Sequence, residues 1–166
     1  MTPVPTPPTT ETETAPAPTR VALADLPQHA GTVFGPSPWR GISQEEVNDF
    51  ADLTADHNPI HVDPDAAARS PFGGTIVHGY FTLSLLVPLM AEIFEVTGVA
   101  TGINYGLDRL RFPAPVPVGA RVRVLSTLRE VTEVPGGYQT VFENVVEVEG
   151  QAKPGVVAVM VLRFLG

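Results

Sequence analysis

Two histidines and a carboxylate lie close together in the segment Asp56-His57-Asn58-Pro59-Ile60-His61. A carboxylate beside an imidazole can exchange protons near neutral pH, because the ordinary pKa of histidine is about 6.5. Pro59 prevents one continuous helix, so a loop presents these side chains. The same residue types also form ordinary surface turns. A zinc site is a further alternative, but Pro59 interrupts the i, i+4 spacing of His57 and His61, and the chain has no cysteine.

A glycine-rich segment follows, Gly73-Gly74-Thr75-Ile76-Val77-His78-Gly79, and leads into a long apolar stretch. A free N–H at a helix start, supported by the helix dipole, can stabilise a developing oxyanion, and Gly79 is placed to supply it. Alternatively, Gly79 only lets the helix start close to another segment while His78 caps it. Ser84 occupies a position where an apolar residue is expected. It is either a site residue or a hydroxyl bonded to the preceding turn.

Two capping signals predict the helices on either side of the histidine segment. Ser43 with Glu46 three residues later forms a capping box, which opens a helix that ends near Thr54. Asp63 followed by Pro64 predicts a second, shorter helix. The chemistry-bearing segment therefore lies between two helices.

The rest of the chain changes from helical periodicity to strict alternation. Residues 79–97 predict one long helix, apolar on most faces and therefore enclosed, with Gly98 as its left-handed end. Alternating residues separated by turn-forming glycines and prolines then predict strands over 100–111, 121–128, 138–148 and 155–165. Helices first and strands last favour the α+β class, with one long helix on an antiparallel sheet.

Composition narrows the classes of function. The 166 residues suit one domain, and we expect residues 1–20, rich in proline and threonine, to form a disordered tail before a domain over 21–166. A net charge of −8 disfavours nucleic acid and anionic membranes as partners. The longest apolar stretch is interrupted by His78, Pro88 and Glu92, which argues against a membrane span. We expect a cytoplasmic protein.

The order of these motifs resembles a known family. Phe50-Ala51-Asp52-Leu53-Thr54-Ala55-Asp56-His57-Asn58-Pro59-Ile60-His61, then Phe72-Gly73-Gly74-Thr75-Ile76-Val77-His78-Gly79, is similar to the signature of the MaoC-like (R)-specific enoyl-CoA hydratases and dehydratases. The resemblance extends from about Trp39 to the C-terminus and is strongest to the NodN-like branch. It implies a hot-dog fold, in which a sheet wraps around a long central helix.

The resemblance also implies roles for individual residues. It places the catalytic pair on Asp56 and His61, the oxyanion amide on Gly79 and an active-site serine on Ser84. The position of His57 varies in the family, so the resemblance assigns it no role. Four further residues are expected to contact substrate: Asn58, His78, Arg109 and Arg111. The arginine pairs 109/111 and 121/123 each share a strand face by their spacing and could flank a tunnel mouth.

The function that these expectations support is reversible hydration of a trans-2-enoyl thioester to an (R)-3-hydroxyacyl thioester, without cofactor or metal. The acyl carrier is CoA or acyl carrier protein. Two alternatives remain open, a hot-dog acyl thioesterase and a non-catalytic acyl-thioester-binding subunit. A small sheet with an open edge, together with the family resemblance, predicts a homodimer.

Overall fold

The C-terminal half of the chain forms an antiparallel sheet, as its alternating pattern predicts. We describe residues 17–166 from a computed structural model. Four long strands form the sheet: β5 (Thr101–Arg111), β6 (Arg121–Val134), β7 (Gly137–Val148) and β8 (Val156–Leu165). Two short strands, β2 (Val33–Phe34) and β3 (Arg40–Gly41), pair with β6. The strand order is β2-β6-β7-β8-β5, so β5 lies at one edge.

The alternation divides the sheet into an inner and an outer face. On β6 and β7 the inner side chains, such as Val124 and Phe142, are fully buried. The outer face carries cross-strand ion pairs that join Arg121 to Glu149, Arg123 to Glu147 and Arg129 to Glu143. The helices therefore pack against the inner face alone.

The two predicted capping signals are confirmed. Helix α1 (Gln44–Thr54) begins at a complete capping box, in which Ser43 Oγ accepts from the Glu46 N–H and the Glu46 carboxylate accepts from the Ser43 N–H. Two short helices follow, α2 (Pro59–Val62) and α3 (Pro64–Ala68). The Asp63 carboxylate caps α3 by accepting from two backbone N–H groups. Both caps are local, which is why the sequence reveals them.

The long helix expected over 79–97 is shorter than the sequence indicates. It consists of α4 (Gly79–Ser84) and α5 (Leu86–Ala91), interrupted at Leu85. Pro88 explains the interruption, because it has no N–H to donate to the Ser84 carbonyl. The remaining residues form a strand instead, β4 (Phe94–Thr97), which pairs in parallel with β1 (Thr19–Ala22). Gly98 does take the left-handed conformation, with φ +74°, but it follows this strand.

The core fills the space between α5 and the inner face of the sheet. Leu86 and Leu89 of α5 are buried, and so is Leu128 of β6. Phe94 lies 4.6 Å from Phe34 and 5.3 Å from Phe142 between ring centroids, which extends the core under β4. Packing on this inner face orients α4, the helix that begins at the glycine-rich segment.

The predicted tail lies mostly outside the described residues, which begin at 17. Thr19 and Arg20, which we assigned to the tail, belong to β1, so the folded region begins before residue 21. A 3-10 helix (Leu23–His29) follows β1. Across residues 17–166, none of the helices has the length and apolar character needed to span a bilayer.

Candidate active site

Asp56 and His61 are positioned by the turn between α1 and α2. Helix α1 ends at Ala55, whose φ of +59° turns the chain sharply. The Asn58 side chain then caps α2 by accepting from the Ile60 N–H at 3.2 Å. As a result Asp56 stays exposed on the turn, while His61 in α2 is buried.

The orientation of the His61 ring is fixed by a backbone carbonyl. Its Nδ1 lies 2.7 Å from the Ile76 oxygen, and since a carbonyl only accepts, Nδ1 donates. In the neutral ring Nε2 is therefore free to accept a proton. Burial lowers the pKa of His61 below its ordinary value of 6.5, although the hydrogen bond to Ile76 opposes the shift. His78 lowers this pKa further, whereas Asp56 raises it, and the net lowering favours the neutral form of the His61 ring.

The lowered pKa of His61 predicts a loss of stability in mild acid. Below about pH 6.5 the unfolded chain binds a proton at His61 that the folded protein does not yet take up, so the free energy of unfolding decreases as pH falls towards the folded pKa. A single proton gives at most about 1.4 kcal/mol per pH unit. Urea unfolding between pH 5 and 8 should show a weaker acid dependence in His61→Gln than in the wild type. Equal slopes for wild type and His61→Gln would contradict the prediction.

Three titratable groups converge at the site. A carboxylate oxygen of Asp56 and one ring nitrogen each of His61 and His78 lie within 4.8 Å of one another. The spacing alone would suit a metal, but the imidazoles are stacked with centroids 3.9 Å apart and planes 28° apart. Lone pairs in nearly parallel rings do not converge on one ion, whereas metal ligands must. The arrangement therefore favours proton transfer between a carboxylate and an imidazole.

An apolar cavity of about 310 Å³ opens beside His61 and Gly79. Its other walls are mainly apolar and come from three segments, 72–77, the start of α4 and 112–116, with Gly155 closing one side. Phe72 and Phe112 line it and are each partly exposed. A hydrocarbon chain can therefore lie against these walls with one end next to the His61 ring.

Gly79 lies at the start of a helix, as the sequence predicts. As the first residue of α4 its N–H has no partner within the helix, and the residue lines the same cavity as His61. A Cβ at this position would lie 3.1 Å from the Phe112 ring, tighter than ordinary van der Waals contact. Glycine therefore lets the ring approach the helix start closely.

Ser84 and Asn58, which were expected in the site, do not line the cavity beside His61, and neither does His57. The Ser84 hydroxyl donates to the Tyr80 carbonyl at 2.8 Å, and its side chain borders another cavity, near β5. Asn58 is the cap of α2 described above. His57 lies on the surface, where its Nε2 pairs with the Asp52 carboxylate at 2.7 Å. Within one chain, none of the three is brought to the cavity beside His61.

His78 was expected to contact substrate, but its ring is only 2% exposed and does not line the cavity. Its Nε2 donates instead to the backbone carbonyl of Asp56, at 2.9 Å. The reason is that α4 begins one residue later, so the His78 side chain turns inwards beneath the turn that carries Asp56. The His78 ring therefore packs against Asp56 and His61, the pair that we call the dyad, and does not line the cavity.

The arginine pairs 109/111 and 121/123 differ in whether carboxylates neutralise their charge. Arg121 and Arg123 are neutralised by glutamates on β7 and by Glu149 just after it, so they offer no free charge to an anion. Arg109 and Arg111 on edge strand β5 are exposed, and neither has a carboxylate within 4.0 Å in the part of the chain that the structure describes. Arg111 directly precedes Phe112, which lines the cavity.

Sequence reasoning missed Gln44, the first residue of α1. Its Nε2 donates to the His61 carbonyl at 2.8 Å, and its Oε1 accepts from the Thr75 hydroxyl at 2.7 Å. Gln44 thus joins α2 to the segment whose Ile76 carbonyl orients the His61 ring. No local pattern marks it, because its partners are 17 and 31 residues away.

The chain is similar in sequence to several known proteins. Residues 25–150 match the family model described as the MaoC like domain. The chain is 52% identical over 145 residues to the 3-hydroxyacyl-thioester dehydratase Z of Mycobacterium tuberculosis (strain ATCC 25618 / H37Rv), covering 87% of this chain and 96% of that protein. It is 44% identical over 145 residues to the nodulation protein N of Rhizobium leguminosarum bv. viciae, covering 83% and 88%.

A solved structure supports the same fold. The (R)-hydratase from A. caviae involved in PHA biosynthesis superposes with a TM-score of 0.67 at 27% identity, covering 80% of this chain and 94% of that one. The chain therefore has the hot-dog fold, which confirms the predicted α+β class. The central helix of that description corresponds here to α4 and α5 together.

Proposed function

Since the chain belongs to the family of MaoC-like domains, we propose that it catalyses reversible hydration of a trans-2-enoyl thioester to an (R)-3-hydroxyacyl thioester. The observation that carries this proposal is that a carboxylate oxygen of Asp56 lies within 4.8 Å of a ring nitrogen of His61, and that His61 lines an apolar cavity together with Gly79. The name of its relative in M. tuberculosis, a 3-hydroxyacyl-thioester dehydratase, supports the same class of reaction.

The geometry supports a division of labour within the dyad. In hydration the free Nε2 of His61 takes a proton from water while the water oxygen adds to C3 of the enoyl group. The resulting imidazolium then gives a proton to C2 on the same face, so that one water is added in full and His61 returns to its neutral state. The exposed Asp56 carboxylate orients the water and stabilises the transient positive charge.

Negative charge develops on the thioester oxygen while C3 is attacked. We assign its stabilisation to the N–H of Gly79, the oxyanion role that the family resemblance places there. Removing a comparable donor from other enzymes costs about 3 to 4 kcal/mol of transition-state stabilisation. The acyl chain occupies the apolar cavity beside it.

The direct test is incubation of the purified protein with crotonyl-CoA. We expect loss of the enoyl absorbance and formation of (R)-3-hydroxybutyryl-CoA, identified by chiral chromatography, with no added metal or cofactor. Release of free CoA thiol without hydration would identify a thioesterase. Binding without turnover of enoyl thioesters of any chain length, on CoA or on acyl carrier protein, would identify a non-catalytic subunit, and either result would overturn the proposal.

We also propose that the protein works as a homodimer. Strand β5 is paired on one side only, and exposed apolar side chains lie along it and along the neighbouring stripe of α4 and α5, among them Ile103, Leu107, Tyr80 and Val87. Ser84 lies on the same stripe, four residues after Tyr80 and three before Val87. A second copy that pairs along β5 would cover both the exposed side chains of β5 and the stripe on α4 and α5.

We propose that Arg111 binds the anionic part of the acyl carrier. Arg111→Ala should raise KM for crotonyl-CoA about 3- to 10-fold and leave kcat within twofold, because a contact to the carrier binds ground state and transition state alike. The loss should shrink at high salt, where surface charges are screened. Steady-state kinetics at two ionic strengths measure both effects. Arg129→Ala, which removes an arginine paired with Glu143, is the control, and an unchanged KM with a lower melting temperature would make Arg111 a structural residue.

A further inference from the structure

The edge of the His78 ring forms a hydrogen bond with the backbone of Asp56, one member of the dyad. Its Nε2 donates to the Asp56 carbonyl across 22 residues of sequence, at 2.9 Å. The carbonyl belongs to the exposed turn between α1 and α2, which is held at its other end by the cap at Asn58. The His78 bond therefore anchors the point of the turn from which the Asp56 carboxylate extends.

The face of the same ring supports the other member. The centroid of His78 lies 3.9 Å from that of His61, with planes 28° apart. Phe50 of α1 packs on His78 as well, with centroids 5.0 Å apart. The ring of His61, already held at Nδ1 by Ile76, is thus prevented from tilting inwards.

Packing alone does not account for a histidine here. Nδ1 of His78 is buried and has no hydrogen-bond partner among residues 17–166. An unpaired buried polar atom costs about 1 to 3 kcal/mol, a cost that phenylalanine or leucine would avoid. The N–H toward Asp56 is the interaction that an apolar residue could not supply.

We propose that His78 is a positioning residue, which uses its ring edge to hold Asp56 and its ring face to hold His61, so that one buried side chain sets the distance between the two. The inference rests on the proposed function. It assigns His78 no contact with substrate, in agreement with its absence from the cavity wall.

Two substitutions of His78 separate the effect of the hydrogen bond at the ring edge from the effect of packing at the ring face. His78→Phe keeps an aromatic face but removes the donor, and should lower kcat for crotonyl-CoA about 10- to 100-fold with KM within twofold, because a small misplacement of a reacting group has an effect of this size. His78→Gln keeps a donor for the Asp56 carbonyl and should recover part of that loss. Phe50→Leu disturbs the packing around His78 without touching its hydrogen bond, and should lower the melting temperature while leaving kcat within about threefold.

A double-mutant cycle shows whether the effect passes through Asp56. In the Asp56→Asn background, His78→Phe should cause little additional loss, since the group that it positions is already disabled. A kcat within twofold of wild type for His78→Phe, or the same loss in both backgrounds, would overturn the inference. If His78→Phe does not fold, His78→Gln must show a kcat loss that also disappears in the Asp56→Asn background. An inactive wild type would instead defeat the proposed function, and this inference with it.

Discussion

Replacing either member of the dyad, by Asp56→Asn or His61→Gln, is expected to lower kcat for crotonyl-CoA by about 10²- to 10⁴-fold while the protein remains folded. His61→Gln removes the ring nitrogen that, in the proposed mechanism, takes a proton from water and returns it to C2. Asp56→Asn keeps the shape of the side chain but removes the negative charge that stabilises the imidazolium. KM should change little, because neither group is assigned to binding of the carrier.

The same loop supplies the control for this prediction. His57 and Asp52 form a second histidine–carboxylate pair, at 2.7 Å, but this pair is exposed on the surface and neither residue lines the cavity. His57→Gln and Asp52→Asn should therefore keep kcat within twofold. Circular dichroism and melting temperature establish that all four variants fold. Near-wild-type rates for both Asp56→Asn and His61→Gln would refute the mechanism even if the reaction itself were confirmed.

Val87→Arg is expected to convert the dimer into a monomer and to lower activity at least 10-fold. Val87 is 48% exposed on α5 and borders both cavities between the helix stripe and β5. In a dimer that covers this stripe, an arginine would be buried without a partner, at a cost of about 3 to 5 kcal/mol, or roughly 10²- to 10⁴-fold in the dissociation constant. Activity should fall because α4, whose first residue lines the catalytic cavity, belongs to the covered surface.

Light scattering coupled to size-exclusion chromatography at micromolar concentration measures the mass of each variant. The matched control is Val33→Arg, which places the same charge on an exposed valine of β2, at the opposite edge of the sheet from β5. This control should remain dimeric and active. A monomeric wild type, or a Val87→Arg variant that is still dimeric, would show that the surface along β5 is not the interface.

The candidate site could be predicted from the sequence only as far as local motifs reach. Asp56 and His61 lie on one short segment with the proline that breaks the helix between them, so their proximity needs no long-range information. The prediction that the Gly79 N–H stabilises an oxyanion likewise rests on a local feature, its place at a helix start. Ser84 shows the limit of such reasoning, since its hydroxyl bonds to the preceding turn and the side chain borders another cavity.

Groups whose role depends on long-range contacts were misjudged or missed. Arg123 looked like a free basic residue until β7 placed Glu147 beside it. His78 looked like a substrate ligand until the structure turned its ring beneath Asp56. Gln44 has no signature in the sequence, although it connects His61 to Thr75. Each of these contacts spans more than fifteen residues, and no spacing rule relates the partners.

The sequence by itself determined the caps at Ser43 and Asp63 and the presence of the four strands from Thr101 onwards, because capping and alternation act between near neighbours. The tertiary structure decided where the helix from Gly79 ends. Residues 94–97 form a strand and do not continue the helix, because β1 offers its backbone N–H and C=O groups in parallel, from 75 residues earlier in the chain. Only the fold could also decide which groups surround the dyad, since it brings α1, α2 and the start of α4 together.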